Sequence, residues 1–373
     1  MRVAVAALTI IASAGCGRYR FDPLGDGDAQ AGDGALVGDG ALVPGTQVVL
    51  SATGQCPAVA WDGSSIGAVW REGGFTGTTD VMFGRYDLAG VALQGPFVVG
   101  SALDNVECPA IAWTGSQFLI ALSYGPVNRH DVDVFTVSAS SVGTFTNVVN
   151  DSGDSTSVQL AVRGAQVLLA WADQTGTNYN VLARPLSATG APTAAAFTVS
   201  GLEPTNGPPW ISVTSTGFAI TFSGNGAPHL RALDATGALA ATEVAMTGAA
   251  TGLVSSTWTG TDLLGMWCEF STDVVTTARF DLTGTVTSGP FMVTINGITR
   301  YTPLVWTGSG ALATWAAAGI QVAHLAADGQ LVSRATLMNA GFNALPSMAW
   351  TGAQLVVASE NGAGALFKVI AAP

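Results

Sequence analysis

The chain has 373 residues, of which 48% are hydrophobic and 10% are charged, so it can bury a large core and is not disordered as a whole. Its 25 acidic and 13 basic residues give a net charge of -12, and the absence of any run of Lys or Arg argues against a nucleic-acid partner. Polar residues interrupt the longer apolar stretches after the N-terminus, so none of them predicts a membrane-spanning helix.

The N-terminus has the pattern of an export signal. An apolar run over 3–12 follows a basic residue, and small residues then lead to Cys16. We expect residues 1–15 to be a signal peptide, because the letters AGC ending at Cys16 resemble a bacterial lipobox, whose cysteine becomes lipidated. Ser13 stands where Leu is usual in that motif. Ordinary cleavage after Ala14, which would give a periplasmic or secreted protein, is the alternative.

Residues 16–40 are predicted to form a flexible stalk that begins at the lipidated cysteine. The segment is rich in Gly and Asp and contains GDGALV twice in tandem, with too little apolar surface to offset the entropy of ordering. A calcium loop is the alternative for its aspartates, although the spacing and terminal Glu of an EF-hand are missing. These aspartates are Asp26, Asp28, Asp33 and Asp39.

Seven copies of one sequence unit follow the stalk. Each copy predicts a short apolar strand, a tight turn with Gly, and a second strand, which together form a hairpin. In several copies a proline opens the first strand: Pro57, Pro109, Pro209 and Pro346. The position before the turn is occupied by Trp61, Trp113, Val162, Val213, Trp258, Trp306 and Trp350, which stand 52, 49, 51, 45, 48 and 44 residues apart.

Two more strands complete each copy. Turns such as YDLAG at 86–90 and FDLTG at 280–284 end a third strand, and apolar segments such as PFMVT at 290–294 supply a fourth. Four antiparallel strands in about 50 residues are the size of a propeller blade. The seventh copy has three strands, and 40–51 resembles the turn and fourth strand of other copies. We therefore predict an all-β, seven-bladed β-propeller over 41–373, closed by an N-terminal strand that completes the last blade.

The regular phase of the tryptophans favours a structural role. In the five copies that have it, a Trp at the end of the inner strand would supply a large apolar surface between neighbouring blades. Binding of sugars by stacking is the alternative interpretation.

The repeats resemble a known class of proteins. The PA-x-AWTG hairpins, together with the export signal and stalk, resemble uncharacterised surface lipoproteins of Gram-negative bacteria with AW-x-G β-propeller repeats. The resemblance covers the signal and all seven copies, and it implies an outer-membrane lipoprotein without implying an activity. The WD40, kelch and sialidase motifs are not found in the sequence.

Few residues offer catalytic chemistry. The three histidines lie in different copies without zinc-ligand spacing, and we expect each at a surface or strand edge: His130, His229 and His324. Neither a Gly-x-Ser-x-Gly motif nor a phosphate-binding glycine loop is present. We predict no catalytic residues, no metal and no cofactor, apart from the alternative of Ca²⁺.

One face of the propeller is predicted to bind a ligand. Glu72, Asp173 and Glu269 occupy equivalent positions, two residues beyond the predicted ends of second strands, and the longer connections 71–80, 124–131 and 172–180 leave from the same face. Two further acids are expected there, Asp104 and Glu107. Charges that only mark strand ends at the solvent boundary are the alternative.

The cysteines suggest a link between two blades. Cys56 and Cys108 have the same phase in copies one and two, so a disulfide between them is one prediction, and two buried free thiols are the other. Cys268 has no partner in phase.

The sequence as a whole predicts a monomeric, non-catalytic binding or scaffold module at the cell envelope. Its partners would be the membrane, through the lipid on Cys16, and a surface protein or a glycan. The alternative is a hydrolase or lyase acting on extracellular polysaccharide or a lactone, with Glu72, Asp173 and Glu269 as its carboxylates.

Overall fold

The computed structural model describes residues 45–371 apart from several short gaps. These gaps are 75, 139–140, 151–152, 176–177, 201–207, 225–226, 247–253, 270–273, 295–301, 318, 340–344 and 362–363. The predicted signal peptide, Cys16, the stalk and its aspartates lie outside the described residues. No helix long and apolar enough to cross a membrane occurs in the described ranges.

The described chain folds into seven four-stranded antiparallel sheets, which are the blades of a propeller. Strand β1 (Gln47–Ser51) comes first and belongs to the last blade. Blade 1 is β2 (Gly54–Trp61), β3 (Ile66–Glu72), β4 (Thr78–Tyr86) and β5 (Ala92–Asp104). Blade 2 is β6 (Ala110–Trp113), β7 (Phe118–Tyr124), β8 (Asp131–Val137) and β9 (Val142–Val149). Blade 3 is β10 (Asp154–Arg163), β11 (Gln166–Thr175), β12 (Asn178–Ser187) and β13 (Phe197–Thr198).

The remaining blades follow the same order. Blade 4 is β14 (Trp210–Val213), β15 (Gly217–Gly224), β16 (Ala227–Asp234) and β17 (Val244–Ala245). Blade 5 is β18 (Val254–Trp258), β19 (Leu263–Glu269), β20 (Val274–Phe280) and β21 (Val286–Thr294). Blade 6 is β22 (Leu304–Trp306), β23 (Gly310–Ala317), β24 (Gly319–Ala326) and β25 (Leu331–Met338). Blade 7 is β26 (Ser347–Trp350), β27 (Gln354–Asn361) and β28 (Gly364–Ala371), with β1 as its fourth strand.

The first strands of neighbouring blades contact one another around a closed ring, in which β2 also contacts β26. The core lies between the blades, because each apolar cluster contains residues from two of them. Val69 and Phe83 of blade 1, for example, pack in one cluster with Phe118 and Ile120 of blade 2. Stacking buries both faces of each sheet, which explains why the strands are apolar on both faces.

The N-terminal strand closes the ring, as predicted. Strand β1 pairs with β28 in antiparallel register, with Gln47 opposite Lys368 and Val48 opposite Phe367. A bulge between Val49 and Ser51 shifts the register before the strand ends. Closure gives blade 7 its fourth strand from the opposite end of the chain, so the ring leaves no incomplete blade.

The tryptophans before the hairpin turns pack between blades. Trp61 contacts a cluster formed with blade 7, and Trp113 contacts the cluster between blades 1 and 2, 4.8 Å from the ring of Phe118. Their side chains are half-buried. Deeper burial belongs to tryptophans of the second strands, each at most 1% exposed: Trp70, Trp171, Trp267 and Trp315.

Two predicted boundaries differ from the structure. The segment 172–180 was expected to be a long connection, but β11 and β12 pair as far as Thr175 and Asn178, so only 176–177 connect them. Polar side chains at the solvent end of these strands hid the strand pattern. Pro57 was expected to open a strand, but it lies inside β2 at a bulge, where the missing N–H interrupts no ladder hydrogen bond.

Candidate functional site

One face of the propeller carries the connections from second to third strands and from each blade to the next. We call it the loop-rich face. Because alternate strands run in opposite directions, the ends of all second and fourth strands lie there. The hairpin turns between first and second strands, such as 62–65, lie on the opposite side, which we call the turn face.

The five candidate acids lie on the loop-rich face and come from blades 1, 3 and 5 and from the connection between blades 1 and 2. The second strands extend further than predicted, so Glu72, Asp173 and Glu269 lie within them and not two residues beyond them. Glu72 ends β3, Asp104 ends β5 and Glu269 ends β19. Asp173 lies near the end of β11, and Glu107 lies in the connection between blades 1 and 2. The three acids at equivalent positions therefore come from blades 1, 3 and 5, and a whole blade separates each from the next.

Glu72 holds the connection between β1 and β2. Its carboxylate accepts hydrogen bonds from Ser51 Oγ at 2.8 Å, Thr53 Oγ1 at 2.6 Å and Trp70 Nε1 at 2.8 Å. Burial opposes ionisation of Glu72, but these three hydrogen bonds outweigh it and lower the pKa of the carboxyl. The carboxylate thus ties the closing strand to blade 1.

We expect Glu72→Ala to lower the free energy of unfolding by about 1–3 kcal/mol, because it leaves the Trp70 indole and two hydroxyls without their acceptor. The lowered pKa means that Glu72 stabilises the protein above the ordinary Glu pKa, and that this contribution is lost as pH falls through the folded-state value. Urea denaturation at pH 7 and pH 4 measures both effects. Glu72→Gln, which keeps one acceptor oxygen, is the matched control. An alanine variant as stable as the wild type at pH 7 would contradict the assignment.

The other candidate acids have different surroundings. Asp173 is buried and accepts a hydrogen bond from Ser155 Oγ at 3.0 Å. Glu269 is half-buried, and Asp104 is exposed. The Asp104 carbonyl accepts a hydrogen bond from the backbone N–H of Gly125 at 2.8 Å, which joins the connections of blades 1 and 2.

A buried charged network underlies the loop-rich face, and sequence reasoning missed most of it. Arg71 is completely buried and donates to the carbonyl of Val106 at 2.9 Å and to Gln55 Oε1 at 2.6 Å. Burial lowers the pKa of Arg71 to about 10, while the nearby carboxylates of Glu107 and Glu360 act in the opposite direction. The guanidinium is therefore stabilised by two acids, Glu107 in the connection between blades 1 and 2 and Glu360 in β27 of blade 7.

His130 continues this network, and it corrects the expectation of a surface histidine. Its ring is buried, with Nδ1 hydrogen-bonded to Asp154 Oδ1 and Nε2 3.1 Å from the carbonyl oxygen of Asn105. A carboxylate and a carbonyl are both acceptors, so satisfying both contacts requires an imidazolium with two N–H donors. Burial disfavours that charge, but Asp154 and Glu107 outweigh burial and raise the pKa of His130.

Glu107 interacts electrostatically with both cations, Arg71 and His130. Burial raises the pKa of its carboxyl, whereas His130 and Arg71 favour the ionised form. We call Arg71, Glu107, His130 and Asp154 the buried charge network. It joins blades 1, 2 and 3 beneath their connections, and it holds the loop 125–130 by its last residue.

Cys56 and Cys108, the two cysteines in phase, are joined by a disulfide beside this network. Their Cα atoms are 5.2 Å apart, and the bond connects β2 to the residues just before β6. The backbone N–H of Cys56 also donates to Glu360 Oε2 at 2.7 Å. Cys268 is a buried free thiol.

The loops of the loop-rich face form a surface above the buried charge network, in which cations and carboxylates offset one another. Of the described loop residues, Val127 is 67% exposed, and Arg129 and Asn128 are exposed beside it. Among the residues that the structure describes, no group of three or more His, Cys, Asp or Glu is placed to hold a metal ion.

The fold is similar to that of solved propellers. The Dos1 propeller aligns with a TM-score of 0.53 over 88% of this chain and 95% of its own, at 9% identity. The β-propeller domain of Cps50 (Swd1) from Myceliophteria thermophila aligns with a TM-score of 0.53 over 89% of this chain and all of its own, at 12% identity. No protein-family model and no curated protein sequence matches the chain. Because identities this low accompany a shared fold alone, the comparisons show that the chain is a β-propeller.

Proposed function

We propose that this protein is a non-catalytic binding or scaffold module of the cell envelope, and that its loop-rich face binds a surface protein or a glycan. This proposal rests on one observation: the charged groups on that face form hydrogen bonds that hold the connections between strands. Glu72 and the buried charge network hold connections in place by hydrogen bonds, so the exposed loops rest on a rigid base. Loops ordered in advance bind a partner without the entropic cost of ordering.

We propose that the protein is located at the outer membrane, where a lipid on Cys16 anchors it. A periplasmic or secreted protein is the alternative. The Cys56–Cys108 disulfide supports an exported protein, because disulfides persist in oxidising compartments. The lipobox-like residues before Cys16 support lipidation, and multiple acyl chains on one residue would anchor the protein stably.

We expect mass spectrometry of the native protein to find an N-terminal peptide that begins with acylated Cys16. Cys16→Ser should release the protein from the membrane fraction, because hydrophobic attachment is lost. A mature N-terminus at unmodified Gly15 would support a soluble exported protein instead. Retention of Met1 would contradict both.

Binding through the loop-rich face is tested with the full chain on glycan arrays and against envelope extracts, with and without Ca²⁺. We expect Val127→Asp to reduce binding at least tenfold, because it places a charge at the most exposed apolar residue of loop 125–130. Ala353→Asp introduces the same charge on the turn face and is the control. Equal loss in both variants would contradict the assignment of the face. Turnover of a polysaccharide or lactone that Glu72→Gln or Glu269→Gln abolishes would favour the enzyme alternative.

A further inference from the structure

A polar surface cavity of about 310 Å³, wide open to solvent, lies at the junction of blades 6 and 7. Its walls come from the end of β25 in blade 6 and from three strands of blade 7, β1, β27 and β28. The polar side chains around it are Gln47, Thr336, Asn339, Asn361 and Lys368. Asn339 and Asn361 lie at strand ends on the loop-rich face, whereas Gln47 and Lys368 lie further from that face, so the cavity extends from the loop-rich face along the junction of the two blades.

Lys368 is the only lysine in the sequence, and it lines this cavity. It donates to the carbonyl of Leu337 in blade 6 at 2.7 Å. Among the described residues, no Asp or Glu forms an ion pair with it. An ammonium has three donor hydrogens, so one bond to a carbonyl leaves its charge without a counterion and leaves further donors for a ligand.

Equivalent cations in two other blades have different surroundings. Arg184 and Arg231 occupy the position of Lys368 in blades 3 and 4. Each donates to a carbonyl of the preceding blade, that of Val148 or Val199. Each also donates through Nε to a carbonyl in its own blade. The bond between blades is therefore a shared structural device, and in blade 7 it lies beside the amide-lined cavity.

The chemistry of the lining selects a class of ligand. One ammonium can form an ion pair with one carboxylate, whereas the net charge of the protein, -12, repels ligands that carry many negative charges. Amide side chains supply both donors and acceptors, which suits neighbouring hydroxyl groups. The volume is at the lower end of the range for small-molecule sites.

We propose that this cavity binds the carboxylate-bearing sugar of an acidic saccharide, with Lys368 on the carboxylate and the amides on the ring hydroxyls. The inference rests on the proposed function as a binding module and names the ligand class.

The test is calorimetric or NMR titration of the full chain with D-glucuronate, D-glucose and acetate. We expect glucuronate to bind at least about tenfold tighter than glucose or acetate, and Lys368→Met to remove that preference. Arg184→Met, which loses the equivalent bond between blades outside the cavity, is the control for altered folding and should bind like the wild type. Glucuronate should also protect the single side-chain amine from acylation, as mass spectrometry measures it.

Equal affinity for acetate and glucuronate, or unchanged glucuronate binding in Lys368→Met, would overturn the proposal. So would an equal loss in Arg184→Met, because the effect would then follow from blade packing. If glucuronate does not bind while array binding still depends on Val127, the cavity proposal fails and the proposed function of the loop-rich face stands.

Discussion

Replacement of both Cys56 and Cys108 by serine is expected to lower the free energy of unfolding by about 2–4 kcal/mol. The disulfide closes a loop with a sequence separation of 52, so it removes many conformations from the unfolded chain. The disulfide also holds the connection that contains Glu107 close to the first strand of blade 1. The double variant is preferable to a single one, which would leave a reactive thiol.

Chemical denaturation with and without a reductant measures this effect. The wild type should lose stability when reduced, while the double variant should be insensitive to the reductant. Cys268 is present in both proteins and so cancels from the comparison. A double variant with the denaturation midpoint of the oxidised wild type would show that the disulfide does not stabilise the fold.

Asp154→Asn is expected to destabilise the protein by about 3–5 kcal/mol near pH 6, because it leaves the His130 imidazolium buried without its carboxylate partner. The pKa of His130 is raised in the folded protein, so the stability from its charged form is fully present below its ordinary pKa and is lost as pH rises through the folded-state value. The difference between wild type and variant should therefore shrink at alkaline pH. The raised pKa of Glu107 acts in the same direction.

Urea denaturation across pH 5 to 9, together with an NMR titration of the His130 ring, tests this prediction. Asp104→Asn removes an exposed carboxylate from the same face and should leave the pH profile unchanged. A constant difference between the wild type and Asp154→Asn at every pH would mean that the pair contributes no titrating charge. The imidazolium assignment would then be wrong.

The architecture could be predicted from sequence because its signals are local and repeated. The phase of Trp61, Trp113, Trp258, Trp306 and Trp350 marks one point on successive inner strands, and glycine at the turns fixes the hairpins. The seventh copy lacks one strand, and strand-like residues precede the first copy. Together they predicted that the N-terminal strand would complete the last blade and close the ring. The structure confirms both the blade count and the closing strand.

The buried charge network could not be predicted in the same way. Arg71, Glu107, His130 and Asp154 come from four separate segments, and they meet only because blades 1, 2 and 3 stack. One usable signal was Arg71 itself, a charged residue at the end of the apolar segment IGAVW. Equivalent phase placed Glu72, Asp173 and Glu269 on one face, but it could not indicate that Glu72 accepts hydrogen bonds from the closing strand's connection.

Ring closure also determines how the propeller would respond to mechanical force. Strand β1 is an outermost strand, and its first residue, Gln47, pairs with Lys368 in the middle of β28. A pull on the chain preceding β1 would therefore load the β1–β28 hydrogen bonds from one end, so that residue pairs separate in sequence rather than all at once. The closing strand is thus the element that yields first under tension, and the six blades built from continuous chain would be spared until it is peeled away.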